Sequence, residues 1–158
     1  MRDNQEFTDL VDGFYSLLEQ TPPELVEKKK NPTSWSLKEI VGHLVDSASN
    51  NHQRFVRLQL GNLKVFPAYD NEGWIAVQRY NEYEWSALLA LWISYNRLLL
   101  HVTAGVNPSC LSHVWENEGE AHPLEWLIED YFRHMRSHRA QFQERLEYWK
   151  RQSRMQVD

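Results

Sequence analysis

Tyr131-Phe132-Arg133-His134-Met135-Arg136-Ser137-His138 is the stretch on which the fold of this chain turns. His134 and His138 stand four apart, which stacks their side chains on one face of a helix. At about 100° per residue, Leu124, Leu127, Ile128, Tyr131, Met135, Phe142, Leu146 and Trp149 fall on one arc. Both histidines lie inside that arc, beside Leu127 and Tyr131. A long helix with one apolar stripe buries it against other helices. Two imidazoles on the wall of a core need polar partners, and one metal ion supplies both. Hydrogen bonds to neighbouring side chains are the alternative. The pair lacks the Glu of a His-Glu-x-x-His motif, so the spacing leaves both readings open.

Working outward, three more helical segments precede this one. The first runs from about Asn4 to Gln20, with Phe7, Leu10, Val11, Phe14, Tyr15 and Leu18 at helical spacing, and Thr21-Pro22-Pro23 stops it. The second opens at Ser36, where Ser36-x-x-Glu39 reads as a capping box, and continues to about Leu60, with Gly61 as the residue past its end. The third begins near Asn81, with Glu84 three positions on, and reaches Gly105. The fourth starts at Pro123, a favoured first-turn residue, and extends to about Arg151. A loop from Gly61 to Gly73 and a short helical turn around Trp74 to Tyr80 separate the second and third. Val106 to His122 reads as loop, with no convincing strand. The spacing therefore predicts an all-α four-helix bundle, residues 1–158 forming a single domain, with a short extra helical turn between helices 2 and 3.

Composition sets outer bounds. The chain has 158 residues, 42% apolar and 25% charged, enough to bury a core. Seven Trp, seven Tyr and six Phe imply an interior dominated by aromatic packing. A net charge of -5 argues against a nucleic-acid partner, since the only basic run is Lys28-Lys29-Lys30. The lone Cys110 excludes an internal disulfide and is compatible with a reducing compartment. Met1 to Glu6 shows no apolar leader, and no stretch approaches ~18 uninterrupted apolar residues. A soluble, cytoplasmic protein without a membrane partner is expected.

Two histidines hold a metal weakly, and a catalytic site offers three protein ligands. The remaining candidates are His43, His52, His101, His113 and His122. Periodicity points to His52, which sits nearer the apolar centre of the second helix (Leu37, Leu44, Ala48, Phe55). His43 lies at the stripe's edge, on a polar strip with Ser47, Asn50 and Arg54.

Ser34-Trp35-Ser36-Leu37-Lys38-Glu39-Ile40-Val41-Gly42-His43-Leu44-Val45-Asp46 resembles the signature of the DinB/YfiT-like superfamily. A Trp-Ser cap there opens the second helix, and Gly-His-Leu-x-Asp follows. His134-x-x-x-His138 with Gln141 resembles the superfamily's paired histidines on the last helix, and the likeness covers nearly the whole chain. It implies a four-helix bundle of unusual handedness, a homodimer, and a divalent ion, nickel or zinc, held by His43, His134 and His138. This selects His43 over His52.

Neutral imidazoles leave such an ion its full charge, so it can acidify bound water, polarise a carbonyl or bind a thiolate. Characterised relatives include metal-dependent thiol transferases and an isomerase that uses a low-molecular-weight thiol. The expected function is thus an enzyme acting on a small-molecule substrate. Either small-thiol S-transfer and isomerisation, or hydrolysis by metal-bound water, fits. A non-catalytic, stress-associated metal-binding dimer is the alternative.

Asp46, one turn after His43, is a candidate to orient a ligand imidazole or act as a catalytic base. A carboxylate paired with Arg54 or a neighbouring helix is the structural alternative. His101 suits a helix C-terminus, while His122 reads as an N-cap. Trp35, Phe66, Tyr69, Trp74 and Trp115 suggest either an apolar pocket or plain core. Asp70-Asn71-Glu72 forms a turn placed to cover the mouth of the site.

Overall fold

The computed structural model describes residues 4–155. Five α-helices run in the order α1 (Gln5–Glu19), α2 (Leu37–Leu60), α3 (Asn71–Gln78), α4 (Trp85–Ala104) and α5 (Leu124–Met155). α1, α2, α4 and α5 form the bundle, and α3 is the short extra helix expected between its second and third members. The capping box at Ser36 is complete. Ser36 Oγ accepts from the Glu39 N–H at 3.0 Å, and Glu39 Oε2 accepts from the Ser36 N–H at 2.8 Å. Ser36 Oγ also donates to Asn81 Oδ1 at 2.7 Å, which ties the start of α2 to the chain leading into α4.

The order around the bundle explains the long connections. α2 packs on α4 and α5, and α1 packs on the same two helices. α1 and α2 therefore face each other across a diagonal, as do α4 and α5. Helices adjacent in sequence and space can be joined by a few residues, whereas a diagonal requires a longer crossing. Residues 20–36 and 105–123 supply those crossings. The core between the helices is aromatic, as the composition implied. Phe7 stacks on Phe132 at 3.9 Å, and Phe14 meets Trp92 and Phe142 edge-on at 5.2 and 5.7 Å. α4 is long and apolar enough to cross a membrane by length and composition. Here Leu88, Trp92, Asn96 and Leu99 are fully buried in the bundle, and Asn96 Oδ1 accepts from the Tyr131 hydroxyl at 2.7 Å.

Three boundaries differ from the sequence reading. α4 begins at Trp85 rather than near Asn81, because Tyr80–Glu82 closes a 3₁₀ turn after Arg79 takes a left-handed conformation at φ 50°. Pro123 ends a strand instead of opening α5, and His122 lies in that strand rather than capping the helix. The expected loop before α5 folds into a hairpin, β1 (Val114–Asn117) against β2 (Glu120–Pro123). Its two-residue turn places Glu118 at φ 51° and Gly119 at φ 85°, the paired left-handed residues of a type I′ turn. Glu118-Gly119 was the available signal, but four-residue strands offer too little alternation to read. Leu63 bridges to β1 through Leu63 N–H to Val114 O at 2.9 Å and Glu116 N–H to Leu63 O at 3.0 Å. The hairpin is thereby fixed to the C-terminal end of α2.

Candidate metal centre

α2 and α5 bring His43 together with His134 and His138, more than ninety residues further along the chain. His43 Nε2 lies 3.2 Å from His134 Nε2, which lies 3.0 Å from His138 Nε2. One nitrogen from each ring falls within 4.8 Å of the other two. Helical spacing alone explains His134 and His138; the packing of α2 on α5 brings in His43. His52 is not part of this cluster and sits near Tyr95, 6.3 Å between ring centroids. Periodicity failed on α2 because Leu37 through Ala48 is buried at every position. Its first half is wrapped by α3, α4, α5 and the turn at Tyr80, so it has no polar face to define a stripe.

The donor set suits a cation. Gln141 Oε1 accepts from His138 Nδ1 at 2.7 Å, and an amide oxygen can only accept, so His138 Nε2 presents its lone pair. His134 Nε2 faces two imidazole nitrogens but can donate one proton or offer one lone pair. At most one of its two contacts is a hydrogen bond. Three lone pairs around one ion resolve that conflict, and the Gln141 bond is the outer-shell support that metal-binding histidines require. The Nδ1 of His43 is buried without a hydrogen-bond partner.

Electrostatics point the same way. Burial, then the neighbouring His138 and His134, push the His43 imidazole down to about 3. Burial and His138 hold His134 at about 4 against an opposing pull from Asp130. Burial also lowers His138, against the bond from Gln141. All three are neutral at pH 7, the form that coordinates metal. The folded-state values lie below the ordinary 6.5, so the unfolded chain takes up protons first as pH falls. The metal-free protein should thus be fully stabilised by these groups above pH ~6.5 and lose that contribution progressively as pH falls through about 4 and about 3. Thermal melts across this range check the sign; a His43→Ala variant should show a shallower acid loss.

Trp35 walls the cluster, with its ring 4.9 Å from His43 and 6.4 Å from His138. Its carbonyl accepts from the Arg145 guanidinium, and its Nε1–H donates to Glu72 Oε2 at 3.1 Å. Of the Asp70-Asn71-Glu72 segment, read from sequence as a turn, Asn71 and Glu72 belong to the first turn of α3, and Glu72 reaches Trp35 through this bond. Asp46 takes another course. Its Oδ1 accepts from the Tyr80 hydroxyl at 2.6 Å and from Gln78 Nε2 at 2.7 Å, while Oδ2 is buried without a partner. None of its hydrogen bonds reaches a histidine of the cluster. Burial raises its pKa, against those two bonds.

Beside the cluster lies a cavity of about 220 Å³ that His43 and His134 line. Arg54, Asn51, Tyr69, Trp115 and His122 also face it. Arg54, 7% exposed, lies with its guanidinium carbon 4.0 Å from the Trp115 ring centroid. Sequence reading placed Arg54 on a polar strip and offered it as a partner for Asp46, whose carboxylate instead takes Tyr80 and Gln78. The signal that locates Arg54 is the spacing 43, 47, 51, 54, one face of α2 shared with His43. Trp115 reaches the cavity through the hairpin, and its indole N–H donates to the Phe66 carbonyl at 2.9 Å. Trp74 packs against Tyr69 with the rings tilted by 50°, 4.8 Å between centroids. His101 and His113 take no part in the cluster, and His113 Nδ1 instead meets the Leu58 carbonyl.

The model of the DinB superfamily matches residues 6–142. No curated protein matches the chain in sequence. Among solved structures it is similar to YfiT from Bacillus subtilis, described as a probable metal-dependent hydrolase with an unusual four-helix bundle topology. The TM-score is 0.79 at 17% identity, covering 95% of this chain and 90% of that one. It is also similar to YjoA, a DinB-like protein from Bacillus subtilis, with TM-score 0.64 at 14% identity over 91% and 88% of the two chains. These likenesses establish the fold, an all-α bundle of the YfiT topology.

Proposed function

This chain belongs to the DinB superfamily, and we propose that it is a metal-dependent hydrolase of small molecules. His43, His134 and His138 would hold a divalent ion, zinc or nickel. The convergence of three ring nitrogens within 4.8 Å carries this reading. When bound, a divalent ion held by neutral imidazoles supplies Lewis acidity and lowers the pKa of water. The chain's own residues do the rest. Gln141 fixes the tautomer of His138, Trp35 shields one side of the cluster from solvent, and the neighbouring cavity admits a substrate next to His43 and His134. Hydrolysis is preferred over small-thiol transfer because YfiT, which shares the fold, is described as a probable metal-dependent hydrolase. Asp46 serves as a positioning residue that holds Tyr80 and Gln78, one layer away from the histidines.

Protein purified without a polyhistidine tag should contain one divalent ion per chain. Turnover of an ester and amide panel should vanish with chelator and return with metal. Because the aromatic core does not depend on the site, chelation should leave the helical circular dichroism intact. An ion present at about 100 times its Kd stabilises by ~3 kcal/mol, so stripping it should lower Tm by roughly 6–12 °C. Complete unfolding on chelation would mark the ion as structural, and protein that takes up no metal would end the proposal. Turnover confined to a panel of small thiols would replace hydrolysis with thiol transfer.

A further inference from the structure

Arg54 is a buried cation without a counter-charge. Among the described residues no carboxylate forms an ion pair with it. Its Nη1 meets Asn51 Oδ1 at a long 3.4 Å, and its Nε is buried with no hydrogen-bond partner. The faces of Trp115 and Phe66, at 4.0 and 5.7 Å, pack against the guanidinium and attract it through their ring quadrupoles, but they accept none of its fork of N–H bonds. A buried charge of this kind is normally paired or hydrogen-bonded. The cavity it lines is the one that His43 and His134 line. Asp130 borders the same cavity, but its carboxylate is engaged by Arg133.

The missing partner has a definable chemistry. A planar guanidinium pairs with a carboxylate through two parallel hydrogen bonds, and one positive charge is balanced by one negative. A phosphate dianion calls for further cations, and Arg54 is the one permanently charged base among the described residues lining the cavity. Its other walls include the rings of Trp115, Trp126 and Tyr69, which suit an apolar or aromatic body. At about 220 Å³ the space falls below the roughly 300–1,000 Å³ of sites for drug-sized ligands. We infer that Arg54 is the substrate-anchoring residue of this site, and that the substrate is a small organic acid. Its carboxylate lies on Arg54 and its scissile group faces His43 and His134. This substrate class rests on the hydrolase reading above; the carboxylate site itself does not require it.

The test titrates benzoate, its neutral isostere benzamide, and inorganic phosphate into the zinc-loaded and the metal-free chain, followed by ¹⁵N NMR of arginine side chains. Benzoate should bind in both forms and shift the Arg54 Nε–H resonance, identified by its loss in Arg54→Gln. Benzamide should bind at least tenfold more weakly, and Arg54→Gln should weaken benzoate at least tenfold while metal content is unchanged. If Arg54→Gln does not fold, the benzoate and benzamide affinities of the natural chain decide the matter. Equal binding of the two, an unmoved Arg54 resonance, or tighter binding of phosphate than of benzoate overturns the inference. A chain that takes up no metal yet shifts Arg54 with benzoate keeps the anion site and loses the hydrolase reading. A chain that binds metal through its histidines but leaves Arg54 unmoved loses the anion site alone.

Discussion

Replacing His134 with Ala is expected to abolish metal binding and every metal-dependent activity. Its Nε2 is the nitrogen that stands within 3.2 Å of both other ligands, so its removal leaves His43 and His138 without a common centre. His43→Ala and His138→Ala should behave alike, because two protein ligands do not hold a divalent ion firmly. Gln141→Ala forms the intermediate case: it frees the tautomer of His138 and should cost about 10–100-fold in affinity, the scale for outer partners of a metal ligand. His52→Ala should leave affinity unchanged. Metal titration by calorimetry orders these variants. The assignment is lost if His52→Ala removes the metal and His43→Ala does not.

Gly42→Ala should be strongly destabilising, although alanine is the better helix former. A Cβ at this position would sit 2.2 Å from Cδ2 and 2.4 Å from Cγ of Tyr80, against a rigid ring rather than a flexible tail. Helix propensity favours the substitution by ~1 kcal/mol. Overpacking costs typically 1–3 kcal/mol, and displacing Tyr80 breaks its 2.6 Å bond to the buried Asp46 carboxylate, worth about 1.5–3 kcal/mol. The clash and the lost bond win, leaving a net loss of ~3 kcal/mol and a Tm lowered by roughly 6–12 °C. Combining Gly42→Ala with Tyr80→Ala should recover part of the packing term, since the ring that collides is gone. A melt of Gly42→Ala at or above that of the natural chain would show that Tyr80 can move aside without penalty.

This contact gives Gly42 of the Gly-His-Leu-x-Asp stretch a physical meaning. Gly42 lets Tyr80 lie flat on α2, and Asp46 receives its hydroxyl. The sequence suggested a catalytic or ligand-orienting Asp46 because a carboxylate one turn from a histidine can reach it. The structure directs that carboxylate to the turn after α3. Nothing within α2 indicates which way it points, since its partners Gln78 and Tyr80 lie more than thirty residues on. Arg54 was equally hidden. On a helix read alone it is an ordinary basic residue of the polar strip, and its burial follows from the hairpin that carries Trp115 over it.

The sequence by itself determined the local architecture. The Ser36 capping box, the proline stop after α1 and the apolar arcs fixed four long helices almost to their ends, because caps and periodicity act within a few residues. It also determined that His134 and His138 share an inward face. Periodicity alone favoured His52 and the family resemblance favoured His43; the tertiary structure brings His43, and not His52, to the paired histidines. The reason lies in the diagonal packing of the bundle, which buries α2 from several sides and erases the contrast between apolar and polar faces on which periodicity depends. The same packing seats Arg54 beside the histidines in a cavity assembled from α2, α5, the hairpin and the segment before α3. A chemical environment built from four separate parts of the chain exists only once they meet.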